Sequence, residues 1–354
     1  MDVPWVRIRP SGRGEEMRNS RIDAAKFVLM VLVVAGHLIE WLPLDSDQVV
    51  YRWIYMFHMP AFVFLSGLVC SDVLDVRRAK ALVAFVVLPY LAHQLATNGM
   101  VSVLGKEPFA YQVSNPYWAL WYLVSLFCWR LLLPVMVATG APVFLAICIS
   151  LLSGLAPEFN HSWSMGRTAS LLPFFVLGHV FARSGGPRLP VGHPFAAVAL
   201  LCAVGAAAYL LRSVPLQWLW AHTPYDGFGV GAGQGVALRS AQLILGMAGA
   251  WAVFMLVPDS GRLAALGRQS LAIFIGHIYV LKAMYAFGII ALMATLQLPV
   301  KVAAVWILAL IIAIACAVGG RVFPWAFDFT WVLTFIEKVK AIASGKRGVA
   351  TNAS

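Results

Sequence analysis

The residues in this chain best suited to chemistry are histidines set inside apolar runs. His37 sits in FVLMVLVVAGHLIEW, His58 in YRWIYMFHMPAFVFLSG and His277 at the end of LGRQSLAIFIGH. A neutral imidazole is a competent general base, and an ionisable group at membrane depth is costly enough to mark a functional candidate. Glu40 follows His37 by three residues, so on a helix its carboxylate reaches the same face. There it can orient the ring as the carboxylate of a catalytic triad does. His37, Glu40 and His58 are the candidate catalytic residues. Each also has a plainer reading: His37 as an interhelical hydrogen bond, His58 as a cap on a kink at Pro60, Glu40 as an interfacial charge. His179, close to the end of its run, reads as structural.

Lys26 precedes His37 by eleven residues, about 16 Å of helix and almost three whole turns. Both side chains therefore project from one face. His58 lies at a similar depth on the next helix, and sequential helices are usually neighbours. Ser66 and Gly67 at that helix's end permit a close approach.

The elements that must hold these residues are membrane helices. Of 354 residues, 61% are hydrophobic and 12% charged, where a soluble domain carries about 25% charged. With a mean hydropathy of +0.82, lipid is the solvent. Apolar runs fall at about 24–42, 52–70, 79–98, 117–138, 141–157, 168–183, 193–211, 235–257, 270–295 and 299–321, each near the roughly 20 residues a bilayer requires. The expected fold is all-α, a polytopic integral membrane protein of about ten transmembrane helices in the cell membrane.

Arg77, Arg78 and Lys80, Arg183 and Arg188, Arg262 and Arg268, and Lys338, Lys340, Lys346 and Arg347 occupy the even-numbered gaps and the carboxyl end. Asp45 and Asp47 occupy the first gap. The positive-inside bias then places both termini in the cytoplasm. The expected organisation is a cytoplasmic segment over 1–22, a transmembrane domain over 23–322, and an amphipathic helix with a polar tail over 323–354. Met17 offers a second start, with residues 1–16 dispensable.

A net charge of +11 resides in the loops and forms no stripe, which argues against nucleic acid. Cys70, Cys128, Cys148, Cys202 and Cys316 lie in or beside apolar runs without CxxC or zinc spacing, so neither a disulfide framework nor a metal site is expected. The glycine-rich stretch 225–235 matches no GxGxxG pattern and reads as a flexible outer loop or a lid. Tyr117, Trp118, Trp121 and Tyr122 read as an aromatic belt, with rings that also suit sugars.

In order, the chain shows Asp23-x-x-Lys26 followed by His37, then FHMPAFVFLSG, Arg77-Arg78-x-Lys80, PYWALWYLVSLF and LGRQSLAIFIGH. This series resembles the acyltransferase type 3 family of membrane O-acyltransferases, closest to its fucose 4-O-acetylase-like branch, over roughly residues 18–320. Lys26 stands where much of that family has Arg, which keeps the charge and loses the fork geometry. The resemblance implies acyl transfer from cytoplasmic acyl-CoA, usually acetyl-CoA, to a hydroxyl of a carbohydrate or related acceptor. On that reading Arg21, Lys26, Arg77, Arg78, Lys80 and Arg268, with His277, bind the polyanionic coenzyme, and its flexible arm runs along the first helix toward His37. Direct transfer and an acyl-histidine intermediate both stay open, as do the acceptor and the oligomeric state. The competing class is a secondary transporter or a lipid or glycan flippase, whose pathways intramembrane histidines also line.

Overall fold

The computed structural model describes residues 19–343 except Pro187, with side chains through Lys340. The expectations for Met17 as a start, for residues 1–18 and for the tail with Lys346 and Arg347 lie outside the described residues.

Among the described residues there are fifteen α-helices and no strand: α1 Ser20–Trp41, α2 Val49–Leu68, α3 Val76–Leu82, α4 Leu88–Val103, α5 Trp121–Ala138, α6 Pro142–Ser153, α7 Met165–Gly185, α8 Pro194–Leu210, α9 Gln217–Trp220, α10 Ala232–Leu256, α11 Gly261–Gly267, α12 Ser270–Ala286, α13 Ile289–Ala294, α14 Leu298–Val322 and α15 Thr330–Ala343. A π-helical turn, Val83–Val87, joins α3 to α4 without a break. Pro89 explains it, because a proline lacks the N–H for the carbonyl four residues back and collides with it.

Each apolar run contains a helix, but the run expected over 270–295 breaks at Gly288 into α12 and α13, and that over 141–157 is helical only through Ser153. Among the described residues six helices are long and apolar enough to cross a membrane: Ser20–Trp41, Val76–Val103, Trp118–Ala138, Ser162–Gly185, Ala232–Leu256 and Leu298–Val322. A seventh arises if α11 and α12, bent by 63°, form one broken span. The expected count of about ten is larger, since α6 and α8 are 12 and 17 residues long and α2 carries Arg52 and His58 within its 20.

Helix α1 is the central post of the bundle, buried along most of its length by Ala24, Ala25, Leu29, Val34, Ala35 and Leu38. Helix α14 is peripheral and turns Ile307, Leu310 and Ile311 outward, as a lipid-facing helix does. Close crossings hold the inner helices. A side chain at Gly67 of α2 would meet the Phe175 carbonyl, and one at Gly178 of α7 would meet the Phe64 carbonyl. Gly267 likewise brings α11 onto the Asp23 carbonyl of α1. The expected close approach at Gly67 is thus a contact between α2 and α7. The amino end of α1 is tied down twice. Asn19 caps its first turn, and the Arg21 guanidinium donates to the carbonyls of Val257, Leu189, Pro190 and Phe254.

Candidate active site

Two cavities open along α1, one at each end. Near the carboxyl end, a cavity of about 210 Å³ is lined by His37, Glu40, Tyr55, His58, Trp118, Trp121, Arg167, Trp220 and His222. Near the amino end, a cavity of about 390 Å³ is lined by Lys26, Arg130, Arg268 and Arg321, with Phe62, Ser66, Tyr122 and Phe274 above them. One layer of rings separates the two. Phe274 is 6.1 Å from His277, and His277 is 5.5 Å from His37, centroid to centroid.

His37 Nδ1 is 3.1 Å from Glu40 Oε2. A carboxylate only accepts, so the ring proton resides on Nδ1 and Nε2 carries the lone pair. Tyr55 Oη stands 3.3 Å from the same Nδ1. Trp118 covers the imidazole, 4.2 Å between centroids, and itself stacks on Trp41 at 5.3 Å. That placement depends on a left-handed backbone at Trp118, φ +43°, a conformation that costs energy in a non-glycine residue and concentrates at functional sites. Lys282 sits over the Trp118 ring at 5.3 Å and pairs with Glu107 at 3.3 Å. Glu107 also accepts from the Tyr117 hydroxyl at 2.9 Å, which ties the loop before Trp118 to α12.

His58 and His277 are set the same way. His58 Nδ1 is 2.8 Å from the Ile54 carbonyl and His277 Nδ1 is 3.1 Å from the Ile273 carbonyl. Each therefore keeps its proton on Nδ1 and offers an Nε2 lone pair. His277 is fully buried and its Nε2 has no partner. Tyr55 joins His58 to His37, its ring 4.6 Å from the first and 6.4 Å from the second. The three histidines singled out in the sequence thus meet around one point. His277 belongs to this group and not to the cations with which it was placed.

The expected cationic rim divides. Lys26 and Arg268 line the larger cavity, and Lys26 pairs with Asp23 at 3.0 Å. Arg21 is spent on four backbone carbonyls and lines neither cavity. Arg78 pairs with Asp75 at 2.8 Å. Arg77 and Lys80 line a separate groove with Thr330 and Leu333 of α15, and Lys80 pairs with Glu337 at 2.5 Å. Two further cations, Arg130 and Arg321, complete the larger cavity and were missed. Arg130, in the middle of WYLVSLFCWRLLLPV, carries the same signal that marked the histidines: a charge inside an apolar run. Arg167, Tyr55 and His222 were missed as well, the last two for lack of any distinguishing spacing.

His179 Nδ1 lies 2.9 Å from the Cys70 carbonyl, and its Nε2 is 4.0 Å from the Asp72 carboxylate. The glycine-rich stretch runs from a turn at Asp226–Phe228 into the first turn of α10. A side chain at Gly235 would collide with the Tyr225 ring, which packs there on α10.

The bundle of membrane-length helices thus holds a paired histidine and carboxylate in the lining of an aromatic cavity, with a cation-lined cavity beyond one layer of rings. The chain matches the family model described as an acyltransferase domain over residues 19–320 and belongs to that family, acyltransferase type 3. It is 26% identical over 208 residues to Nodulation protein NolL of Sinorhizobium fredii (strain NBRC 101917 / NGR234), covering 51% of this chain and 54% of that protein. Nodulation protein NolL of Mesorhizobium japonicum (strain LMG 29417 / CECT 9101 / MAFF 303099) is 34% identical over 76 residues, 19% of this chain and 20% of the relative. The chain therefore spans about half the length of the first relative and less of the second. No solved structure matches it.

Proposed function

We propose that this chain is a cell-membrane O-acyltransferase that moves an acyl group, acetyl in the simplest case, from acyl-CoA to a hydroxyl of a carbohydrate or related acceptor. The observation that carries the reading is the His37–Glu40 pair at 3.1 Å, lining one cavity while only the His277 and Phe274 rings stand between it and the other. Lys26, Arg130, Arg268 and Arg321 suit the phosphates of the donor, the arginines through bidentate contacts. Both termini and this cavity face the cytoplasm on this reading, with α2, α6 and α8 also crossing the bilayer. The donor's flexible arm covers the roughly 16 Å of α1 between Lys26 and His37.

The chemistry follows from the tautomer. His37 Nε2 takes the proton of the acceptor hydroxyl as its oxygen attacks the thioester carbonyl. A C–O bond forms and the C–S bond breaks. The departing thiolate then takes the proton from the imidazolium, leaving an ester and free coenzyme A thiol. Glu40 holds the ring and stabilises the imidazolium in between, as a triad carboxylate does.

The test is thiol release from acetyl-CoA by the purified full chain in lipid, over a panel of sugar acceptors, beside His37→Ala. Acceptor-dependent release that falls by about 10²–10⁴-fold in the variant is expected. Release by His37→Ala at the wild-type rate removes His37 from the mechanism. Acceptor uptake into vesicles with no thiol released replaces the enzyme with a transporter.

A further inference from the structure

The cavity beside His37 contains a cation, Arg167, that makes no ion pair with a carboxylate among the described residues. Arg167 lies in the first turn of α7. Its Nε donates to the Trp220 carbonyl at 3.1 Å and its guanidinium lies over the Trp121 ring at 4.9 Å. Nη1 is buried and has no hydrogen-bond partner. Among the described residues no carboxylate forms an ion pair with it; Glu40, the carboxylate in the cavity lining, is engaged by His37. A half-buried guanidinium with a buried nitrogen left unpartnered and no direct ion pair is expensive. Its position makes it more so, since the amino end of a helix is the positive pole of the helix dipole.

The other groups facing Arg167 do not supply a negative charge. His222 follows the last turn of α9 by two residues, and its ring lies 5.7 Å from that of Trp220. Burial, then the charges of Arg167 and His161, push its pKa down to about 3, so it is neutral. Tyr51 and Tyr55 present hydroxyls and flat rings. Trp118, Trp121 and Trp220 supply further aromatic faces, of the kind that stack on sugar rings. At about 210 Å³ the space is small beside ordinary ligand pockets of about 300–1,000 Å³, so it suits one sugar residue.

We infer that this cavity selects an acceptor sugar bearing an anionic group, a carboxylate or a phosphate, which pairs with Arg167 while a hydroxyl of the same residue faces His37. The inference rests on the acyl-transfer reading and deepens it. A neutral sugar leaves Arg167 unpaired, whereas an acidic one replaces the water that the guanidinium loses.

The experiment uses pairs of acceptors differing in charge alone: methyl glucuronoside against methyl glucoside, and glucose 6-phosphate against glucose. Thiol release gives kcat/KM for wild type, Arg167→Gln and Arg167→Lys, with thermal melting to confirm that each variant is folded. Wild type is expected to favour the acidic member of at least one pair by about 10- to 100-fold, the range of a charge-assisted hydrogen bond. Preference for the glucuronoside names a carboxylate, and preference for the sugar phosphate names a phosphate. Arg167→Gln should collapse the preference through KM, and Arg167→Lys should restore part of it. Equal kcat/KM within both pairs in wild type overturns the inference, as does an equal fall in kcat for every acceptor in Arg167→Gln. Binding of the glucuronoside by titration calorimetry, lost in Arg167→Gln but without thiol release, upholds the anionic site and sinks acyl transfer instead.

Discussion

The His277 imidazole lies flat against that of His37, centroids 5.5 Å apart and planes 17° from parallel. Stacking on one side by His277 and cover on another by Trp118 leave the His37 ring little freedom beyond the orientation that Glu40 selects. His277 has its own N–H tied to Ile273, so it presents to this space a ring and an unpartnered Nε2. On the acyl-transfer proposal it acts through His37 as a positioning residue. Substituting His277→Ala should lower kcat by roughly 10- to 100-fold, less than the roughly 10²–10⁴-fold expected of His37→Ala. Steady-state kinetics on both variants checks the order. An unimpaired His277→Ala enzyme would falsify the positioning role.

Glu40 allows a sharper test, because on the acyl-transfer proposal its role is to choose the tautomer of His37. Glu40→Gln keeps the size and offers an amide that can donate to Nδ1. That would move the ring proton to Nε2 and remove the base. The loss expected is about 10²–10⁴-fold in kcat, in line with what a wrong tautomer costs a triad. KM for the donor should stay near wild type, since the larger cavity is untouched. A variant whose loss falls entirely on KM argues that Glu40 binds substrate and does not orient the base.

The division of the cations predicts two phenotypes where sequence suggested one. Lys26→Ala and Arg268→Ala remove charge from the larger cavity and should raise donor KM by about tenfold each, an effect that shrinks as salt is added. Arg21→Ala instead strips hydrogen bonds from four buried-face carbonyls. Bonds to a charged group contribute about 1.5–3 kcal/mol apiece, so this variant should show a lower melting temperature with donor KM unchanged. Melting and titration of the three purified variants separate these outcomes. A raised KM in a fully stable Arg21→Ala protein would return Arg21 to the donor site.

Much of this site is legible in the sequence, and the reasons for the rest are physical. A three-residue spacing places Glu40 on His37, and an eleven-residue spacing sets Lys26 and His37 on one face, because both are local facts of helix geometry. The fate of Arg77 and Lys80 is not local. Their partner in the groove is α15, with Glu337 some 250 residues later, and no periodicity announces that pairing. Trp118 likewise looks like interfacial aromatic belt until its left-handed backbone turns it over His37. Arg130 was readable by the rule applied to the histidines, since a charge in an apolar run needs a reason whatever its sign, whereas Arg167 stands just before the run at 168–183 in a polar stretch. The number of crossings is the hardest to read, because α2, α6 and α8 are apolar helices whose length or charge falls short of a full span.

The crossing of α2 and α7 should be intolerant of any side chain. At Gly67 an added Cβ would stand 1.8 Å from the Phe175 carbonyl oxygen, a backbone atom that cannot swing aside. Gly67→Ala must push the helices apart, and overpacking of this kind costs about 1–3 kcal/mol or more. Gly99, with nothing within 4 Å of an added Cβ, is the control. Thermal melting in one detergent should show a fall for Gly67→Ala and none for Gly99→Ala.

His222 makes stability depend on pH in a definite direction. Its pKa is lowered from 6.5 to about 3, first by burial and then by Arg167 and His161. Between those two values the unfolded chain binds a proton that the folded chain excludes, so stability rises with pH across that window. Read the other way, the His222 contribution is complete above about pH 6.5 and is lost progressively as pH falls toward 3. Melting temperature from pH 7.5 down to 4.5 should therefore drop more steeply for wild type than for His222→Gln, which has no proton to gain. Other buried groups add to both slopes equally, so the difference between the two curves is the quantity to read. Parallel curves would mean that the His222 ring is hydrated in the folded protein and free to protonate. That result would also weaken the case for Arg167 as the lone cation in its cavity.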